Sequence, residues 1–166
     1  MEHVEAELRY VLNCTVLSNF ALVRQLHLLR IAGEGKAATT EEVAREFQSA
    51  IEMGYFAPIS IEWLTVLSLS EAELFTFEVI HRRLGAGEAS CLAIAQHRGM
   101  MVWTDDRDAR RYARQAGIAV TGTLGILVRL VEKNVISQAE ANAMLALMVQ
   151  HGYRSPLKDL SVLLNG

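Results

Sequence analysis

Three carboxylates fall within four positions at Asp105, Asp106 and Asp108, directly after the apolar run Met100-Met101-Val102-Trp103 and Thr104. Acids this close repel one another unless a cation or a basic group offsets the charge. A divalent metal is one answer, because Mg²⁺ is commonly held by one or two carboxylates with waters and phosphate oxygens. An acidic turn is the other, since Asp favours turns and helix N-termini. On these residues alone the two readings stand level. Three further places offer polar groups at expected strand ends or helix starts: Asn13 with Thr15, Ser18 and Asn19; Glu46; and Glu88, after Gly85-Ala86-Gly87. Asn13 and Thr15 could equally cap a helix, Glu46 could be a solvated acid, and Glu88 a first-turn partner of the helix dipole. The glycines either side of Ala86 allow close backbone approach.

Arg107, Arg110, Arg111 and Arg114 follow the acids. Arg107 and Arg111 are four apart and share a helix face, as do Arg110 and Arg114. They read either as phosphate contacts, which Arg makes bidentately, or as a solvated face that neutralises the acids. Other chemistries find little support. His3, His27, His81, His97 and His151 are scattered without zinc spacing. No Gly-x-Ser-x-Gly elbow or phosphate-binding loop occurs.

These groups need elements to position them. The chain has 166 residues, 51% hydrophobic and 21% charged, with a net charge of −3. That suits one domain with a sizeable core and no global basic field. Cys14 and Cys91 are too sparse for a disulfide scaffold, so a reducing cytosol is the expected compartment. The opening residues 1–8 are charged and lack a signal-peptide core, and no apolar run is long enough for a membrane helix. Residues 8–12 read as a buried strand, and 16–31 as one helical apolar segment broken by Gly33-Glu34-Gly35-Lys36. Thr39 or Thr40 caps a helix reaching Met53 and ended by Gly54. Residues 63–69 read as a strand. Ser70-Glu71-Ala72-Glu73 is a capping box opening a helix to about Leu84, and a helix over 89–97 follows. A strand at 100–103, a helix over 107–115, a strand at 118–121 and a helix from Gly122 to about Lys133 complete the alternation. Strands alternating with helices predict an α/β fold with a parallel sheet covered on both faces. Ser137-Gln138-Ala139-Glu140 is a second capping box, for a helix to Gln150. Pro156 suits the first turn of a last helix over 157–164. The expected unit is a single domain over 1–166, with 137–166 a helical C-terminal hairpin.

In order, these motifs resemble those of PIN-domain nucleases. Asn13-Cys14-Thr15 resembles the family's opening, where an Asp ends the first strand and a Thr or Ser follows two positions on. Glu42-Val43-Ala44-Arg45-Glu46-Phe47 resembles its second acidic motif, Leu84-Gly85-Ala86-Gly87-Glu88-Ala89 its third, and Thr104-Asp105-Asp106 its fourth. Gly122-Thr123-Leu124-Gly125-Ile126-Leu127 resembles a toxin branch similar to VapC. The resemblance implies a three-layer α/β/α sandwich with a parallel central sheet. It implies an Mg²⁺- or Mn²⁺-dependent ribonuclease, often a homodimer and often the toxin held by a cognate antitoxin, which suits the cytoplasmic location expected from the cysteines. Asn13, Glu46, Glu88 and Asp106 are then the catalytic set. Asn13, Glu88 and Asp106, with Asp105 and Asp108 as auxiliaries, are the metal ligands. Thr15, Thr104, Arg107 and Arg111 are the substrate contacts.

The chain departs from the family at Asn13, which stands where the first Asp is expected. An amide oxygen can ligate a hard cation but brings no charge, so cation affinity and activity should fall. A non-catalytic PIN-like module that binds RNA or a protein is the alternative. A phosphoryl-transfer receiver domain is disfavoured, because its paired acids come early in the chain.

Overall fold

A computed structural model describes residues 7–164. The charged opening at 1–6, including His3, lies outside them. Strand β1 (Tyr10–Leu12) leads into α1 (Cys14–Leu22) and α2 (His27–Gly33). Strand β2 (Ala37–Thr40) and α3 (Glu41–Glu52) follow, then β3 (Thr65–Leu67), α4 (Glu71–His81) and α5 (Ala86–Arg98). Strand β4 (Met101–Trp103), α6 (Arg107–Ala116), β5 (Val120–Thr121), α7 (Thr123–Glu132), α8 (Gln138–Gln150) and the short α9 (Ser161–Leu164) complete the chain.

The five strands form one parallel sheet in the order β3-β2-β1-β4-β5. Every residue of β1 is buried, as expected of a central parallel strand. Tyr10 pairs with Ala37 on one side and Met101 on the other, so β1 is the hub. Helix α5 lies against β1, β2 and β4 and is covered by α4, while α1, α2, α7 and α8 pack against one another. This is the three-layer α/β/α sandwich expected. The strand order runs outward from β1 in one direction and then returns to its other side with β4. Ligands of open α/β sheets bind beyond the strand ends at such a reversal. Asn13 follows β1 and Thr104 follows β4, so both stand there.

Several elements differ from expectation. Strand β2 is an element the sequence pattern does not predict, because Ala-Ala-Thr-Thr has no apolar run and its threonines signal only a helix cap. Its position between β1 and β3 buries it. Thr39 Oγ1 donates to the Leu12 carbonyl at 2.7 Å, and Thr40 both caps α3 and bonds to Ser90. The single segment at 16–31 is two helices, because Arg24 adopts a positive φ of 59°. The last helix covers only Ser161–Leu164, and Pro156 precedes it in a connection. The C-terminal stretch is held to the body. Ala141, Met144, Leu145 and Met148 are buried on α8, Leu160 is buried, and Asn142 Oδ1 accepts from the Leu160 N–H at 2.9 Å. Both capping boxes form at the predicted residues, Ser70 with Glu73 and Ser137 with Glu140. Among the described residues no helix is long and apolar enough to cross a membrane.

Candidate active site

The chain emerging from β1 starts α1 with Asn13 as its N-cap. Asn13 Oδ1 accepts from the Cys14 N–H at 2.8 Å, and its Nδ2 donates to Thr104 Oγ1 at 2.9 Å. The chain emerging from β4 is organised by that same hydroxyl, which also accepts from the Asp106 N–H at 3.1 Å. Thr15 Oγ1 accepts from the Asp105 N–H at 3.0 Å. Thr15 and Thr104 thus tie the two strand ends together and fix the direction in which the acids project. Asp106 caps α6, its Oδ1 accepting from the Ala109 N–H at 2.7 Å.

Glu46 arrives from the middle of α3 and Glu88 from the first turn of α5. Gly87 lets Glu46 approach Asn13, since a Cβ there would stand 2.6 Å from Glu46 Oε2 and 3.4 Å from Asn13 Oδ1, while Glu88 turns its Oε2 to Gly85, 2.5 Å from where a Cβ would stand. Glu46 is an exposed residue whose Oε2 lies against Gly87. Partial burial, followed by the charge of Glu88, pushes the Glu46 pKa above its ordinary value. The Cys14 thiol is raised to about 11, chiefly by burial, with Glu46 and Glu88 adding to the rise against a lowering Ser18 hydrogen bond. That rise disfavours the thiolate, the nucleophilic form.

Thr15, Asn19, Glu46, Glu88, Asp105, Asp106 and Arg107 all line one open cleft of about 840 Å³. Four expected residues behave otherwise. Asn13 is fully buried beneath the floor, because capping α1 and holding Thr104 occupy its side chain. Thr104 is also fully buried, its hydroxyl taken up by Asn13 Nδ2 and the Asp106 N–H. Asp108 and Arg111 line a separate groove with Arg83 and Tyr112. They are three apart on α6, and that face turns away once Asp106 caps the helix.

Asp105 borders the cleft, but its carboxylate is already engaged. It accepts from Asn19 Nδ2 at 3.0 Å, the Thr123 N–H at 2.8 Å, the Thr123 hydroxyl and, at 3.5 Å, the Tyr153 hydroxyl. The Tyr153 pKa is raised, first by burial and then by the charge and hydrogen bond of Asp105. Tyr153 closes the cleft from the C-terminal side together with His151 and Arg154, and Met53 and Tyr55 close it beyond α3. Sequence reasoning missed these five. The available signal was the shared Gly-Tyr step, Gly54-Tyr55 and Gly152-Tyr153, each just past a helix end.

The donor chemistry fits a hard divalent cation. Glu46, Glu88 and Asp106 form no ion pair among the described residues, and a cation would offset the charge of Glu88, which adds to burial in raising the Glu46 pKa. Among the described residues, no three His, Cys, Asp or Glu side chains group closely enough to enclose a metal. A cation at this floor would need waters or phosphate oxygens to complete its shell.

A PIN-domain family model matches residues 9–165, nearly the whole chain. The chain belongs to the PIN-domain family. PIN domains are generally nucleases and usually use divalent metals. The crystal structure of PAE2754 from Pyrobaculum aerophilum is similar in fold, with a TM-score of 0.52 and 18% identity. That likeness covers 75% of this PIN domain and 90% of the other chain. No curated protein matches the sequence.

Proposed function

We propose that this PIN domain is a divalent-metal-dependent endoribonuclease of the VapC-like toxin type. The observation that carries the reading is the unpaired trio Glu46, Glu88 and Asp106 around one cleft at the switch point of the sheet. Glu88 and Asp106 would hold Mg²⁺ or Mn²⁺ from two sides, Asp106 with its Oδ1 already steadied by the Ala109 N–H. When bound, the cation supplies stabilisation of the charge that develops on the phosphate oxygens. Glu46 has a raised pKa and accepts the proton of an attacking water. Arg107 faces the phosphate, Thr15 holds the acidic loop in register, and Asn13 acts from beneath as a positioning residue.

The toxin assignment rests on Gly122-Thr123-Leu124-Gly125, whose Thr123 anchors Asp105. An antitoxin or a second copy would find uncovered apolar side chains at Leu74, Phe75 and Val79 of α4. The free thiols Cys14 and Cys91 accord with a reducing cytoplasm.

The test is RNA cleavage with and without Mg²⁺ or Mn²⁺, on the wild type, Glu88→Gln and Asn13→Asp. The wild type should cut only with metal, and Glu88→Gln should lose about a hundredfold or more in rate. Asn13→Asp should tighten the cation by roughly tenfold, read as a larger metal-dependent rise in melting temperature. Metal-independent cutting, or full activity of Glu88→Gln, would sink the proposal. A second reading, a non-catalytic RNA-binding PIN module, is favoured by the uncharged Asn13 and by the lack of a three-carboxylate group. It predicts salt-sensitive RNA binding without cleavage by any of the three proteins.

A further inference from the structure

Helices α3, α5, α6 and α8 end in the same way. Each is followed by a glycine in the left-handed region: Gly54 at φ 81°, Gly99 at 65°, Gly117 at 73° and Gly152 at 109°. The N–H of the next residue then reaches back to the carbonyl five positions earlier. These bonds are Tyr55 to Ala50 at 3.1 Å, Met100 to Ala95 at 3.1 Å, Ile118 to Ala113 at 2.8 Å, and Tyr153 to Met148 at 3.0 Å. This closure usually carries an apolar contact between that residue and its helix. Met100 and Ile118 obey, with 4% and 8% exposure, and Tyr153 turns inward toward Asp105. Tyr55 does not. It is 64% exposed beside Met53, itself 70% exposed, and both line the cleft.

The hydrogen-bonded turn fixes the backbone of Tyr55, so an uncovered aromatic is held at the mouth of the cleft at little further entropic cost. An unstacked nucleobase covers such a face, and stacking accepts any base. The same cleft supplies Arg107 and Arg154, both exposed and without an ion-pair partner among the described residues. Glu46, Glu88, Asp105 and Asp106 line the same cleft, so the complementarity is local: two free guanidinium groups beside an aromatic platform match a polyanion carrying planar bases better than a peptide.

We propose that Tyr55, with Met53, is a base-stacking subsite and Arg154 a phosphate grip, so that the cleft takes single-stranded RNA with one base splayed onto the tyrosine. The proposal rests on the ribonuclease reading above. Paired bases offer no free face, so duplex RNA is a poor ligand for this subsite.

The experiment uses the full chain and a short single-stranded RNA carrying one fluorescent adenine analogue, placed at successive positions. Ca²⁺ replaces Mg²⁺ during the binding measurement, and cleavage with Mg²⁺ is followed separately. Tyr55→Ala should weaken binding about tenfold or more and abolish the quenching seen at one position, while Tyr55→Phe keeps both. Arg154→Gln should lower the slope of log affinity against log salt by about 0.7, the share of one single-strand phosphate. If Tyr55→Ala binds and quenches like the wild type while the wild type still cleaves, the subsite is refuted and the ribonuclease reading stands. If the wild type neither binds nor cleaves, both fall together.

Discussion

Glu73 and Glu46 both lie on helices that border α5, and the structure treats them in opposite ways. Glu73 is 3% exposed and fully partnered. Arg98 grips it through Nε at 2.7 Å and through Nη2 at 2.8 Å, and Ser70 completes the capping box of α4. Those bonds, the Arg98 pair first, hold its pKa down to about 2. Glu46 has no basic partner; partial burial first, and then the charge of Glu88, move its pKa up. A carboxylate that serves the fold is satisfied by the fold. One left unsatisfied in a cleft is stabilised only by something the chain does not itself contain, and that difference separates the structural acids from the candidate site.

The comparison breaks first at Glu73. Glu73→Gln leaves Arg98 against a neutral amide in place of a bidentate ion pair. Arg98 is partly exposed, so water recovers some of the loss, and destabilisation of about 2 kcal/mol is expected in chemical denaturation. The pH dependence has a definite sign. The folded pKa lies below the ordinary value of 4.5, so the contribution is complete above pH 4.5. It is lost as pH falls toward about 2. The wild type should lose stability across that window more steeply than Glu73→Gln. Parallel curves would remove Glu73 as the model of a satisfied acid.

Glu46 should respond in the other direction. Its raised pKa means that ionisation is disfavoured by the fold, so the penalty is absent at acid pH and appears as pH rises through the folded pKa. Glu46→Gln should therefore stabilise the metal-free protein at neutral pH, by less than about 1 kcal/mol because the residue is exposed. It should do nothing below the ordinary value, and it should lower catalysis. A neutral or destabilising result at neutral pH would mean that Glu46 is a structural acid like Glu73.

Legibility in the sequence followed the same division between local and distant causes. Strands β1 and β4 and both capping boxes were readable, because an apolar run or a Ser-x-x-Glu pattern is a local signal. Strand β2 was not, because its burial comes from the neighbours on either side. The acids Glu46, Glu88 and Asp106 were visible as motifs. The burial of Asn13 was not, since it depends on Thr104, ninety-one positions away. The walls made by Tyr55 and Tyr153 carried only the faint Gly-Tyr signal, and that of Tyr153 also depends on the C-terminal chain returning against α1 and α7.

The smallest expected effect tests whether proximity in sequence to Asp106 means anything by itself. Asp108 is two residues from Asp106 and Arg111 is five away, yet both face the groove with Arg83 and Tyr112. In that position Asp108 does no more than meet the N-terminal dipole of α6, and Arg111 is solvated. Asp108→Asn and Arg111→Gln should each change stability by less than about 0.5 kcal/mol and RNA cleavage by less than about twofold. A large loss of cleavage from either would show that substrate wraps around α6 into the second groove. The acids would then act as a belt running from one groove to the other, and the contrast drawn through Glu46 would have to include Asp108.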